Sequence, residues 1–179
     1  MRMIKALLVV TIFCSIFSCS KEKRIEEIYQ ECLYNSLSDK GEALKRFSQG
    51  FEKHLIKIKI LKDSTPESYY NIYKSIANGK RYPSYYKYSY IDSINKIERY
   101  KINPSNKKCL EDITDLEEFK KSKLYKINKV ALPISEKGSY DFSKMVASIL
   151  PIMEEKDFEL DYYKHKVYMF LYFSDILFY

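Results

Sequence analysis

Apolar residues that return every three or four positions constrain this chain most. Ile25, Ile28, Tyr29, Cys32 and Leu33 fall at i, i+3, i+4, i+7 and i+8, which lines one face of an amphipathic helix. A second stripe, Leu44, Phe47, Phe51, Leu55 and Ile58, predicts a helix over 39–61, although Gly41 and Gly50 weaken it and Ile56–Ile60 alternates as a strand would. The third helix is punctuated at both ends. Ser64-Thr65-Pro66-Glu67 offers a cap, an early proline and a capping-box acid, and Asn78-Gly79 offers a left-handed stop beyond Tyr69, Ile72, Tyr73 and Ile76.

Further along, Asp92 caps a helix that Asn103-Pro104 ends, and Cys109, Leu110 and Ile113 lead into a Thr114-x-x-Glu117 box. Residues 125–139 read as a linker. Asp141 then caps a helix with Met145, Val146, Ile149 and Leu150, ended or kinked by Pro151. The apolar stretch 167–179 contains Asp175 and is too short to cross a bilayer, so it reads as a central helix or strand of the core. Only 4 Gly and 5 Pro in 179 residues, with 46% hydrophobic residues, leave ample material for one core. The expected fold is a single mainly α domain of five to seven helices over 19–179, with a short β element possible where Tyr86, Tyr88 and Tyr90 alternate.

The N-terminus carries an address. Arg2 and Lys5 precede thirteen uncharged residues, Ala6–Ser18, and Cys19 stands where that run meets Ser20-Lys21-Glu22-Lys23-Arg24. Ile16-Phe17-Ser18-Cys19 resembles the lipobox of a bacterial lipoprotein signal peptide, with Phe17 bulkier than the residue usual at that place. The resemblance implies removal of residues 1–18 as a signal peptide, acylation of Cys19 and anchoring in the cell envelope; a plain secretory signal or an uncleaved anchor are the alternatives. Ser20 after the cysteine resembles the signal for outer-membrane rather than inner-membrane sorting.

Loss of residues 1–18 removes two basic residues and leaves 29 basic against 24 acidic, a net charge of +5. That excess is spread along the chain without a dense basic cluster, so a nucleic-acid partner is not expected. Cys14 belongs to the signal and Cys19 to the lipid site, which leaves Cys32 and Cys109 either as a disulfide or as two buried thiols.

Chemistry is sparse. The two histidines, His54 and His165, stand in no metal-ligand pattern, and no phosphate loop or nucleophile elbow is present, so no metal, cofactor or catalytic residue is expected. The local carboxylate pairs Glu26-Glu27, Glu111-Asp112 and Glu154-Glu155 read as solvated helix faces. Tyr82, Tyr85, Tyr86, Tyr88 and Tyr90, interleaved with Lys80, Arg81 and Lys87, form a candidate stacking surface for a sugar, peptidoglycan or a protein partner, set against ordinary packing in a chain with 18 tyrosines. The functional expectation is a membrane-anchored, non-enzymatic binding or structural module. A toxin-neutralising immunity protein is the alternative, and a hydrolase with a dispersed site near His165, Asp157, Glu159 and Asp161 is a third reading.

Overall fold

The structure is a computed structural model and describes residues 23–37, 39–82, 104–135 and 142–176. Among the described residues the chain is mainly helical, with eight α-helices and no strand: α1 (Ile25–Asn35), α2 (Glu42–Lys57), α3 (Pro66–Ala77), α4 (Pro104–Thr114), α5 (Glu117–Lys121), α6 (Lys123–Ser135), α7 (Phe142–Ile149) and α8 (Asp161–Ile176). Two short 3₁₀ turns, Leu150–Ile152 and Glu155–Glu159, connect α7 to α8.

The helix ends show why several boundaries differ from expectation. The carboxylate of Asp39 accepts from the backbone N–H of Gly41 at 3.0 Å and of Ala43 at 2.7 Å, so α2 begins at Glu42 and not at Asp39. It ends at Lys57, because Lys59 takes a left-handed φ of 61° and the Ile60 amide turns back to the Leu55 carbonyl at 2.9 Å. This Schellman closure turns the strand-like alternation of Ile56–Ile60 into a helix stop. The same closure ends α3, with Gly79 at φ 79° and the Lys80 amide on the Ser75 carbonyl.

Thr65 caps α3, its hydroxyl accepting from the Ser68 amide, with Pro66 at the first helical position. Glu67 does not complete a capping box. The Thr65 amide donates instead to the Asp63 carboxylate at 3.0 Å, and the Ser68 hydroxyl accepts from the Asp63 amide. The Thr114–Glu117 box is also absent, since the Thr114 hydroxyl donates to the Glu111 carbonyl and Leu116 stands at the cap of α5. Pro104 opens α4 where a stop was expected, a position that needs no N–H. The expected linker is mostly helix α6, which packs on α5 and α7 and carries Pro133 only in its final turn. The expected helix over 92–101 and the alternating tyrosines 86–90 lie outside the described residues.

One contiguous core joins these elements. At its centre Tyr69 of α3, Phe158 of the second 3₁₀ turn, Leu55 of α2, Val146 of α7 and Val167 of α8 are fully enclosed, each large side chain contributing about 1.5–3 kcal/mol by leaving water. α3 packs against α7, α8 and the 3₁₀ turns, while α1 lies on α4 and α8. Phe158 touches the rings of Tyr69, Tyr70, Tyr73 and Tyr163 and so gathers the centre of the aromatic core.

Candidate functional site

The first turn of α1 carries charge into the interior. Glu26 and Asp157 are both enclosed, although the sequence pattern assigned Glu26 to a solvated face. Both oxygens of Asp157 are occupied: Oδ1 accepts from Arg24 at 2.9 Å, and Oδ2 accepts from Lys123 Nζ at 2.5 Å and from the Glu154 amide at 2.7 Å. Glu26 Oε1 accepts from the Tyr163 hydroxyl at 2.8 Å and the Leu124 amide at 3.1 Å, while its other oxygen lies 3.4 Å from Arg24 Nε. The Arg24 guanidinium also lies 5.8 Å from the centre of the Tyr163 ring. Burial and the Glu26 carboxylate hold the Tyr163 phenol well above its ordinary pKa, so it stays a donor.

A low-dielectric setting makes unpaired charge costly, and here two carboxylates are matched by Arg24 and Lys123. The cluster clamps the start of α1, the start of α6, the second 3₁₀ turn and α8 to one another. Asp157 has no exposed surface, so no substrate reaches it in this fold. A readable trace of this site exists: Glu26 and Gln30 stand four positions apart beside the apolar stripe, and both are buried.

A second polar cluster joins α2, α3 and α8. The Tyr69 hydroxyl lies 2.5 Å from Glu52 and 2.6 Å from the Tyr168 hydroxyl, and Lys164 Nζ lies 3.9 Å from Glu52. Beside it His165 Nε2 meets the Ser48 hydroxyl at 2.7 Å. Burial, helped by Lys164 and Lys166 and opposed by Asp161, pushes the His165 imidazole down to about 4. A neutral imidazole on a serine hydroxyl is the first requirement of a Ser–His nucleophile. The second, a pair of free amides for an oxyanion, is not met by α2 around Ser48, where the backbone amides of a helix interior are already engaged one turn back.

Of the residues singled out by sequence, Cys32 on α1 and Cys109 on α4 are brought together as a disulfide with Cα atoms 6.2 Å apart. Tyr82 is not part of an exposed stacking surface. It is 6% exposed, packed in the core with Lys80 over its ring, because the chain leaving α3 folds back onto it. Cys19, Tyr85, Tyr86, Tyr88 and Tyr90 lie outside the described residues. Asp157 does not serve His165, since its carboxylate is spent on Arg24 and Lys123, and Glu159 is exposed. His54 stacks on Phe51 on the outer side of α2. Among the described residues no group of His, Cys, Asp and Glu could hold a metal ion, and no helix is long and apolar enough to cross a membrane. Comparison with protein-family models, with curated proteins and with solved structures finds no match.

Proposed function

We infer that this chain is a bacterial envelope lipoprotein, held to the outer membrane by an acylated Cys19, that works as a binding or structural module through contacts and not through catalysis. The observation that carries this reading is the Cys32–Cys109 pair. A disulfide between helices 77 residues apart persists in oxidising compartments and not in a reducing cytosol. It complements the lipobox-like segment, because it consumes both cysteines that remain in the mature chain after Cys19. The charge clamp supports it as well: Arg24, five positions after the proposed anchor, is held to the domain by Asp157 at 2.9 Å.

Intact mass of the detergent-extracted protein, beside a Cys19→Ala variant and after alkylation without reductant, tests it. The expected mass is residues 19–179 plus a diacylglyceryl group, absent in the variant, with no alkylation of Cys32 or Cys109. An unmodified mature chain in the soluble fraction, or two free thiols, would overturn the reading.

A further inference from the structure

The outer face of α6 presents apolar and basic side chains together to solvent, although the Tyr125 ring also meets Phe119 edge-on at 5.6 Å. Its sequence, Lys123-Leu-Tyr-Lys-Ile-Asn-Lys-Val-Ala-Leu-Pro-Ile-Ser135, contains no acid. Leu124 is buried, and Ile127 and Ala131 pack against the core. At about 100° per residue, Tyr125, Lys126, Lys129 and Leu132 share about a third of the opposite circumference. All four are exposed, Leu132 at 56% and Tyr125 at 36%, and Leu116, just before α5, adds a further 40%-exposed apolar side chain. Around Leu116 and on α5 the acids Asp115, Glu117 and Glu118 outnumber Lys120 and Lys121, with Glu117 and Lys120 paired at 2.7 Å, so the positive charge of this corner comes from Lys126 and Lys129 of α6.

Its position relative to the proposed anchor decides what can cover it. Lys123 and Arg24 grip the same Asp157 carboxylate at 2.5 and 2.9 Å, and the Leu124 amide donates to Glu26. The start of α6 therefore sits beside the start of α1. Arg24 lies five Cα steps after Cys19, a contour of at most about 18 Å, and Tyr125 to Leu132 spans about 10 Å along the helix. A lipid surface that holds Cys19 is thus within reach of the whole face. A helix face with apolar side chains flanked by lysines suits the boundary between acyl chains and anionic headgroups, which attract each lysine near the surface.

We propose that the Tyr125–Leu132 face of α6 docks onto an anionic lipid surface, laying the domain down on the membrane that carries its anchor. The inference rests on the envelope-lipoprotein reading. The chain has no tryptophan, so Leu132→Trp, an exposed position, supplies a single reporter, and Lys53→Trp on the exposed side of α2 supplies its control. Each variant of the full mature protein is mixed with vesicles of phosphatidylcholine, alone or with phosphatidylglycerol, some bearing brominated acyl chains.

The expected result is a blue-shifted emission at position 132 on the anionic vesicles, with bromine quenching at least about twofold stronger than at position 53. The shift should shrink in 1 M salt, where the screening length falls to about 3 Å, and in a Lys126→Glu/Lys129→Glu background. A water-like emission at position 132 on every vesicle, or equal quenching at both positions, would overturn the docking face. The two readings fail separately. Protein of acylated mass with an unshifted position 132 keeps the anchor and removes the face, whereas a shifted position 132 in protein of unacylated mass keeps the face and removes the anchor.

Discussion

Asp157 is the residue on which the most structure converges, since its fully enclosed carboxylate ties the half-buried Arg24 and Lys123 and the Glu154 amide into one knot. Removing one partner of such a knot costs more than the pair itself contributes, because the others keep their desolvation cost without compensation. Asp157→Asn preserves size and an acceptor but leaves Arg24 and Lys123 facing a neutral amide. The expected loss is about 3 kcal/mol in urea unfolding. Glu154→Gln should change stability little, because that side chain is solvated and its ion pair with Lys156 is screened. Equal effects of the two substitutions would show that the knot is not the stabilising unit.

At the scale of elements, α2 is defined by its ends and tolerant in its middle. Gly41 precedes it with φ 79°, and a Cβ built there would meet Tyr34 Cδ1 at 2.4 Å, so both backbone strain and the neighbouring ring oppose a side chain. Gly50 sits inside the helix with open space around the position its Cβ would take. Gly41→Ala should therefore destabilise by about 1–3 kcal/mol, while Gly50→Ala should stabilise by about 0.5–1 kcal/mol. Thermal melts of the two variants check the opposite signs. The apolar periodicity made α1, α2, α3 and α7 legible in the sequence, because each has one buried stripe, which Pro66 and Gly79 bracket in α3 and Pro151 follows in α7. It missed α6, where a final-turn proline and a mixed apolar surface disguise a helix whose inner side rests on α5 and α7. The ends of α2 were legible only in part, since a lysine in the left-handed region is not a residue from which a stop is read.

At the scale of the whole molecule, the disulfide closes a 77-residue separation and contributes about 4.5 kcal/mol in the chain-entropy account. Acid should undo the fold in two steps. In the unfolded chain His165 takes up a proton near its ordinary value of about 6.5, whereas in the folded protein burial holds it near 4. The unfolded state binds the extra proton between those values, so stability falls as pH drops from 6.5 to 4, by roughly 3 kcal/mol, and then levels off for this group. Asp63 has its pKa lowered to about 2 by the Ser68 and Thr65 hydroxyls and the Thr65 amide, so what it contributes is present above its unfolded value and lost as pH falls through 2. Urea midpoints measured across the acid range should show the first step flattened in His165→Gln and the second retained. A first step of full size in that variant would assign it to another group.

The sequence by itself determined that this chain is helical, where the faces of its well-marked helices lie, and which two cysteines remain once the N-terminal segment and Cys19 are set aside. Those properties follow from spacing along one strand of chain, where a stripe at i, i+3 and i+4 has a single geometric meaning. Tertiary structure alone decided that Glu26 faces inward, that Asp157 answers to Arg24 and Lys123 and not to His165, that Ser48 meets that histidine, and that Tyr82 belongs to the core. Each of these is a meeting of residues up to 137 positions apart, as between Glu26 and Tyr163. A charged residue reads as solvated until a partner of opposite charge, brought from elsewhere in the chain, makes its burial tolerable.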